Sequence, residues 1–168
     1  VDDLLDEAGT YGYLCDVRVP SAVLLGMKYK DEITLTFSTD SGNGLSLFGG
    51  EPLLYPEVTC AIHRAAMECG IPKRQLITNG FFSRDEGRIR KVAQALAEAG
   101  VNDLLISVDG FHQATIPLEV VRSFALTVKA AGIEKVRFSP AWVVNENFDC
   151  EENTRTRVVL DQLVDTGI

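Results

Sequence analysis

Three glycines, Gly70, Gly100 and Gly132, stand about thirty residues apart, each closing an amphipathic helical stretch before a short apolar run. No other feature constrains the fold as much. Residues 56–69 read as the first helix, with Val58, Ala61, Ile62, Ala65 and Cys69 on one face and Gly70 and Pro72 as the stop. Ser83 is the expected cap of the second, with Glu86 completing a capping box and Ile89, Val92, Ala93, Leu96 and Ala97 as its buried stripe. Residues 118–131 repeat the theme through Val120, Val121, Phe124, Ala125 and Val128. A last helix is expected over 154–165, apolar at Val158, Val159, Leu160 and Leu163. Strand and helix alternating in units of about thirty residues mean βα crossovers, hence an α/β protein with a parallel sheet. Periodicity alone leaves two architectures open, a doubly wound sheet and a partial barrel.

At 168 residues the chain makes one domain with a substantial core. It is short for a closed eight-stranded barrel, which takes about 250 residues. The formal charge of −8 argues against a nucleic-acid backbone as the main partner, because phosphate binding wants a basic surface. No apolar run approaches a membrane span, and no signal-peptide pattern is present. Four cysteines without a disulfide framework suit a reducing cytoplasm.

Chemistry concentrates in residues 45–54, LSLFGGEPLL. An apolar strand ends in Gly49 and Gly50, which bare the backbone to a ligand. Glu51 follows, and Pro52 fixes the turn while giving up an amide donor. Together they suit a cationic or amine-bearing ligand. The plainer reading is a tight strand-to-helix turn. The flanks favour the first, because the segment resembles the second strand of the radical S-adenosylmethionine (radical SAM) enzymes, whose GGEP motif holds the methionine amino group. Residues 75–80, QLITNG, are similar to that family's third strand, and 104–110, LLISVDG, to its fourth. Phe111-His112-Gln113 resembles a subgroup with FHQ after the fourth strand, and 135–140, KVRFSP, fits a fifth.

The resemblance covers residues 31–168 and implies a partial (β/α)6 TIM-like barrel, with residues 1–30 as an N-terminal extension packed on it. It implies S-adenosylmethionine and a [4Fe–4S] cluster as cofactors, and a 5′-deoxyadenosyl radical that abstracts hydrogen from a small-molecule or peptide substrate. A flavodoxin or ferredoxin would be the electron donor. Gly49, Gly50, Glu51 and Pro52 would receive the methionine amine. Ser107 and Asp109 would contact the ribose or carboxylate, with Asn79 nearby. Strand ends also place Thr78 and Ser139 at the same mouth. Asn79-Gly80 and Asp109-Gly110 are equally turn formers. His112 reads either as a substrate-side acid/base or as a surface histidine, and His63 as structural.

The family's CxxxCxxC cluster loop is missing. The stretch 31–40, which resembles the first strand, runs through Ser41-Gly42-Asn43-Gly44 straight into the next. That spacing suits an antiparallel hairpin and is too short for a parallel crossover. Cys60 and Cys69 fall on opposite faces of one helix, and Cys15 and Cys150 lack ligand spacing, so the four cysteines read as ordinary thiols. The favoured explanation is sequence lost between Asp40 and Ser41. A start on Val1 and an end at Ile168 within a helix fit an incomplete chain. A natural cluster-less relative, or a chain with the loop deleted, is the competing one. Two further function classes stay open: a cluster-free ligand- or peptide-binding domain, and a conventional barrel lyase or isomerase using Glu51 and Asp109.

Overall fold

The computed structural model of the chain describes residues 34–38, 44–48, 51–144 and 150–168. Five strands form one sheet in sequential order: β1 Thr34–Ser38, β2 Gly44–Phe48, β3 Lys73–Thr78, β4 Asp103–Ser107 and β5 Lys135–Ser139. β2 to β5 pair in parallel. Helices α1 (Pro56–Glu68), α2 (Glu86–Glu98) and α3 (Leu118–Ala130) make the crossovers, and α4 (Glu151–Asp161) follows β5. Among the described residues consecutive strands are neighbours, and the sheet has no switch point of the kind a doubly wound fold needs. It is the singly wound, partial-barrel type. Right-handed crossovers set α1, α2 and α3 on one face.

At β1 the outcome is the antiparallel hairpin that the short spacing before Leu45 suits. This strand runs antiparallel to β2, with Thr34 opposite Phe48 and Ser38 opposite Gly44. Residues 39–43 are the whole connection, and a crossover needs more chain than that. Among the described residues, four parallel strands therefore stand where six βα units were expected. The junction at Asp40 and Ser41 and the extension over 1–30 lie outside the described residues.

The core lies between sheet and helices. Leu45, Leu47, Leu76, Leu104 and Ile106 meet Ile62, Leu96, Val121 and Phe124, all fully buried. Each contributes about 1.5–3 kcal/mol of burial free energy. The alternate strand positions face the other way and, beside Ile77 and Leu105, carry polar groups. Ser46 Oγ donates to Gln75 Oε1 at 2.9 Å, and Gln75 Nε2 donates to Asp103 Oδ2 at 2.8 Å. Arg137 also pairs with Asp103. Among the described residues, no helix is long and apolar enough to cross a membrane.

Three local expectations need correction. Asp85 caps α2, its Oδ1 accepting from Arg88 N at 2.6 Å, while Ser83 Oγ accepts from Asp85 N one step earlier. An acid directly before the first turn also meets the positive helix end, which a serine further back does not. On α1 the fully covered residues are Thr59, Cys60, Ile62, His63 and Ala66, so the buried face is rotated from the apolar stripe. Thr59 Oγ1 donates to Pro52 O at 2.8 Å and fixes that rotation. The last helix spans Glu151–Asp161, with a separate 3-10 turn at Val164–Thr166. It docks through Asn153 and Thr156, which are buried, whereas Val158 is exposed.

Candidate functional site

Each parallel strand ends at the same edge of the sheet, and the polar groups singled out in the sequence gather there. After β2, Glu51 caps a short 3-10 turn over Pro52–Leu54. Its Oε1 accepts from Leu53 N at 2.9 Å and from Thr78 Oγ1 at 2.6 Å, and its Oε2 accepts from Asn79 N at 2.8 Å. Burial pushes this carboxyl above its ordinary range, against the pull of Thr78, the Leu53 and Asn79 amides and the His112 charge. A carboxylate offers about four acceptor positions. Three donors leave one for a ligand. Pro52 is buried and shapes the turn, its carbonyl held by Thr59.

After β3, Asn79 gives its amide to Glu51 while its Oδ1 accepts from Phe81 N at 2.8 Å. Turn chemistry and a place at the mouth are thus both true of it. Ser107 ends β4 in register with Ser139, both half-buried. Gly49 and Gly50 lie outside the described residues.

Asp109 is fully buried, and the chain itself uses both of its oxygens. Oδ1 accepts from the Phe111 and His112 amides, each at 2.9 Å, and Oδ2 accepts from Ala141 N at 3.0 Å. His112 Nδ1 lies 2.8 Å from Oδ2 and 2.9 Å from Oδ1. Burial pushes the carboxyl up, but the amides of His112 and Ala141 and the His112 ring outweigh it, leaving it below the usual range. The group facing outward at this corner is therefore His112, not Asp109. Spacing had no means of showing that bond or the amide of Ala141, which comes from the loop after β5.

α4 closes this wall. Gly110 N donates to Thr156 Oγ1 at 2.9 Å, and Asn153 holds both the amide and the carbonyl of Val143 at 2.9 Å. A Cβ on Gly110 would sit 2.9 Å from Glu152 O and from Arg155 Cβ. Gly110→Ala is accordingly expected to cost about 1–3 kcal/mol through overpacking, read by urea unfolding. A cost near zero would mean that α4 is free to shift.

The opposite strand ends hold a cavity of ≈ 550 Å³ lined by Lys73, Asn102, Asp103, Glu134, Lys135 and Arg137. Its charges largely answer one another, with Lys73 and Arg137 both on Asp103. The three described cysteines do not converge. Cys60 is buried within α1, Cys69 follows its last turn and Cys150 caps α4 through Sγ, and none of the three is in a disulfide. Among the described residues no three His, Cys, Asp or Glu side chains form a metal-binding group.

Comparison with known proteins agrees with the fold. The family model described as Radical SAM superfamily matches residues 28–151. A GTP 3',8-cyclase from Lactiplantibacillus plantarum is 35% identical over 85 residues, 49% of this chain. The match covers 24% of that relative's length.

Proposed function

Because the chain belongs to the radical SAM superfamily, we propose that the mouth at Glu51, Asn79 and Ser107 binds S-adenosylmethionine. The carrying observation is the buried Glu51 carboxylate, fixed by three donors with acceptor capacity left over. An ammonium group is the natural partner for such a carboxylate, since charge-assisted hydrogen bonds are stronger in a dry site. Thr78 and the Asn79 amide hold Glu51 in place, while Ser107 and Ser139 flank the neighbouring strand ends. Gly49 and Gly50, which directly precede Glu51 in the sequence, belong to the same proposed cradle.

Within the family, a reduced [4Fe–4S] cluster and S-adenosylmethionine together supply a 5′-deoxyadenosyl radical for hydrogen abstraction. We assign this chain to that enzyme class, with a flavodoxin- or ferredoxin-like electron donor and an unidentified substrate. The cysteines at hand do not fit the cluster, because the three described ones sit on separate faces and helix ends. We therefore derive no step through it from these residues. The cluster ligands would come from sequence between Asp40 and Ser41 in the natural protein. An intact mass above 18.4 kDa, with peptides from that junction, is the expected result; a mass of 18.4 kDa would leave a binding domain only.

Calorimetric titration with S-adenosylmethionine tests the binding reading. Glu51→Gln is expected to weaken binding about 10- to 100-fold, the worth of one charge-assisted hydrogen bond. Equal affinity in the variant, with its fold checked by circular dichroism, would remove Glu51 from the site.

A further inference from the structure

The loop after β4 contains a side-chain pair that the cofactor reading does not use. Asp109 is fully buried, and its carboxyl is held below the usual range, so it is ionised at neutral pH. An ionised carboxylate only accepts hydrogen bonds. The 2.8 Å contact therefore requires His112 Nδ1 to be the donor. In the neutral ring, Nε2 must then carry the lone pair. The His112 side chain is 36% exposed, while its partner has no exposure at all. His112 directly follows β4, whose end lies at the same edge of the sheet as the β2 end that carries Glu51, so the ring belongs to the mouth.

We propose that His112 is a proton-transfer group for the substrate, with Asp109 as the residue that positions it. This rests on the mouth being the ligand site. The substrates it suits carry an ionisable hydroxyl or amine beside the reacting carbon. In the step, the substrate O–H or N–H bond breaks and its electron pair stays on the heteroatom. The proton forms a bond to Nε2, and the imidazolium charge is balanced by the carboxylate 2.8 Å away. The reverse step returns the proton, and no oxidant or reductant is involved. S-adenosylmethionine brings a sulfonium and an ammonium, which a ring that becomes cationic does not attract. The cofactor thus belongs with Glu51 and the substrate with His112.

The chain has two histidines, and His63 is fully buried, so diethylpyrocarbonate reports on His112 alone. Carbethoxylation of the full chain is expected to proceed severalfold faster than that of N-acetylhistidine, because the tautomer with the outward lone pair is enforced. Asp109→Asn should remove that excess, provided urea unfolding shows the variant folded. In the wild type, two-bond nitrogen–proton correlation spectra should show the neutral ring protonated at Nδ1, which needs no variant. S-adenosylmethionine should leave His112 reactive, and modified protein should keep its affinity for the cofactor. A reaction no faster than the free amino acid, or protonation at Nε2, would overturn the proposal. Loss of cofactor affinity on modification would overturn it too, by making His112 a cofactor contact. A wild type that binds no S-adenosylmethionine would instead sink the cofactor reading, while the rates and the tautomer would still decide the role of His112.

Discussion

Asp109→Ala is expected to lower the stability of the domain by about 3–5 kcal/mol, the largest loss of any single substitution here. The carboxylate accepts from the amides of Phe111, His112 and Ala141 and from the His112 ring, all from within a fully buried position. Truncation leaves three amides without their acceptor. These bonds are part-buried, so each orphaned donor costs up to about 1–3 kcal/mol, tempered by whatever water enters. It also cuts the only side-chain tie described between the loop after β4 and the loop after β5. Urea unfolding at neutral pH measures this directly. A loss below about 1 kcal/mol would mean that the loops find other partners easily.

The second large effect concerns acid. His63 is fully buried in α1, and both ring nitrogens lack a hydrogen-bond partner. Burial and the nearby Arg74 charge lower its pKa from 6.5 to about 3. The folded state therefore refuses a proton that the unfolded chain accepts once pH falls below 6.5. Stability is unaffected above that value and is lost steadily as pH drops from 6.5 toward about 3. At roughly 1.4 kcal/mol per pH unit, the loss from this residue reaches about 2–3 kcal/mol near pH 4.5. His63→Leu should abolish that share of the acid sensitivity. It should also raise stability near pH 7 by about 1–2 kcal/mol, because two unsatisfied polar atoms leave the core. Carboxylates titrate over the same range, so the informative quantity is wild type minus variant at each pH. An unchanged difference across the range would show that His63 finds a partner when protonated.

The physical reasons for what the sequence revealed differ from element to element. α2 and α3 were legible because their apolar residues recur at helical spacing and the same residues, Ile89, Val92, Leu96, Val121, Phe124 and Val128, are buried. α1 was legible in extent but not in rotation, because Thr59 and His63 take core positions that a hydrophobic pattern assigns to Val58 and Ala65. α4 was misplaced for a related reason: Asn153 and Thr156 take its fully buried positions, while Val159 and Leu160 pack only partly on the core. At the mouth, strand-end logic found Glu51, Asn79 and Asp109. It did not reveal that Asp109 faces inward onto His112 and Ala141, because that depends on contact between loops 32 residues apart.

β1 touches the sheet only along β2, at the outer edge, while every residue of the mouth described here follows β2. The direction in which β1 pairs is thereby separate from the described residues of the mouth. A lengthened connection would let that edge strand reverse, or a different strand replace it, and the registers from β2 to β5 would be the same. In design terms, the edge is an exchangeable module: the fold can gain or lose a loop there without re-solving its interior.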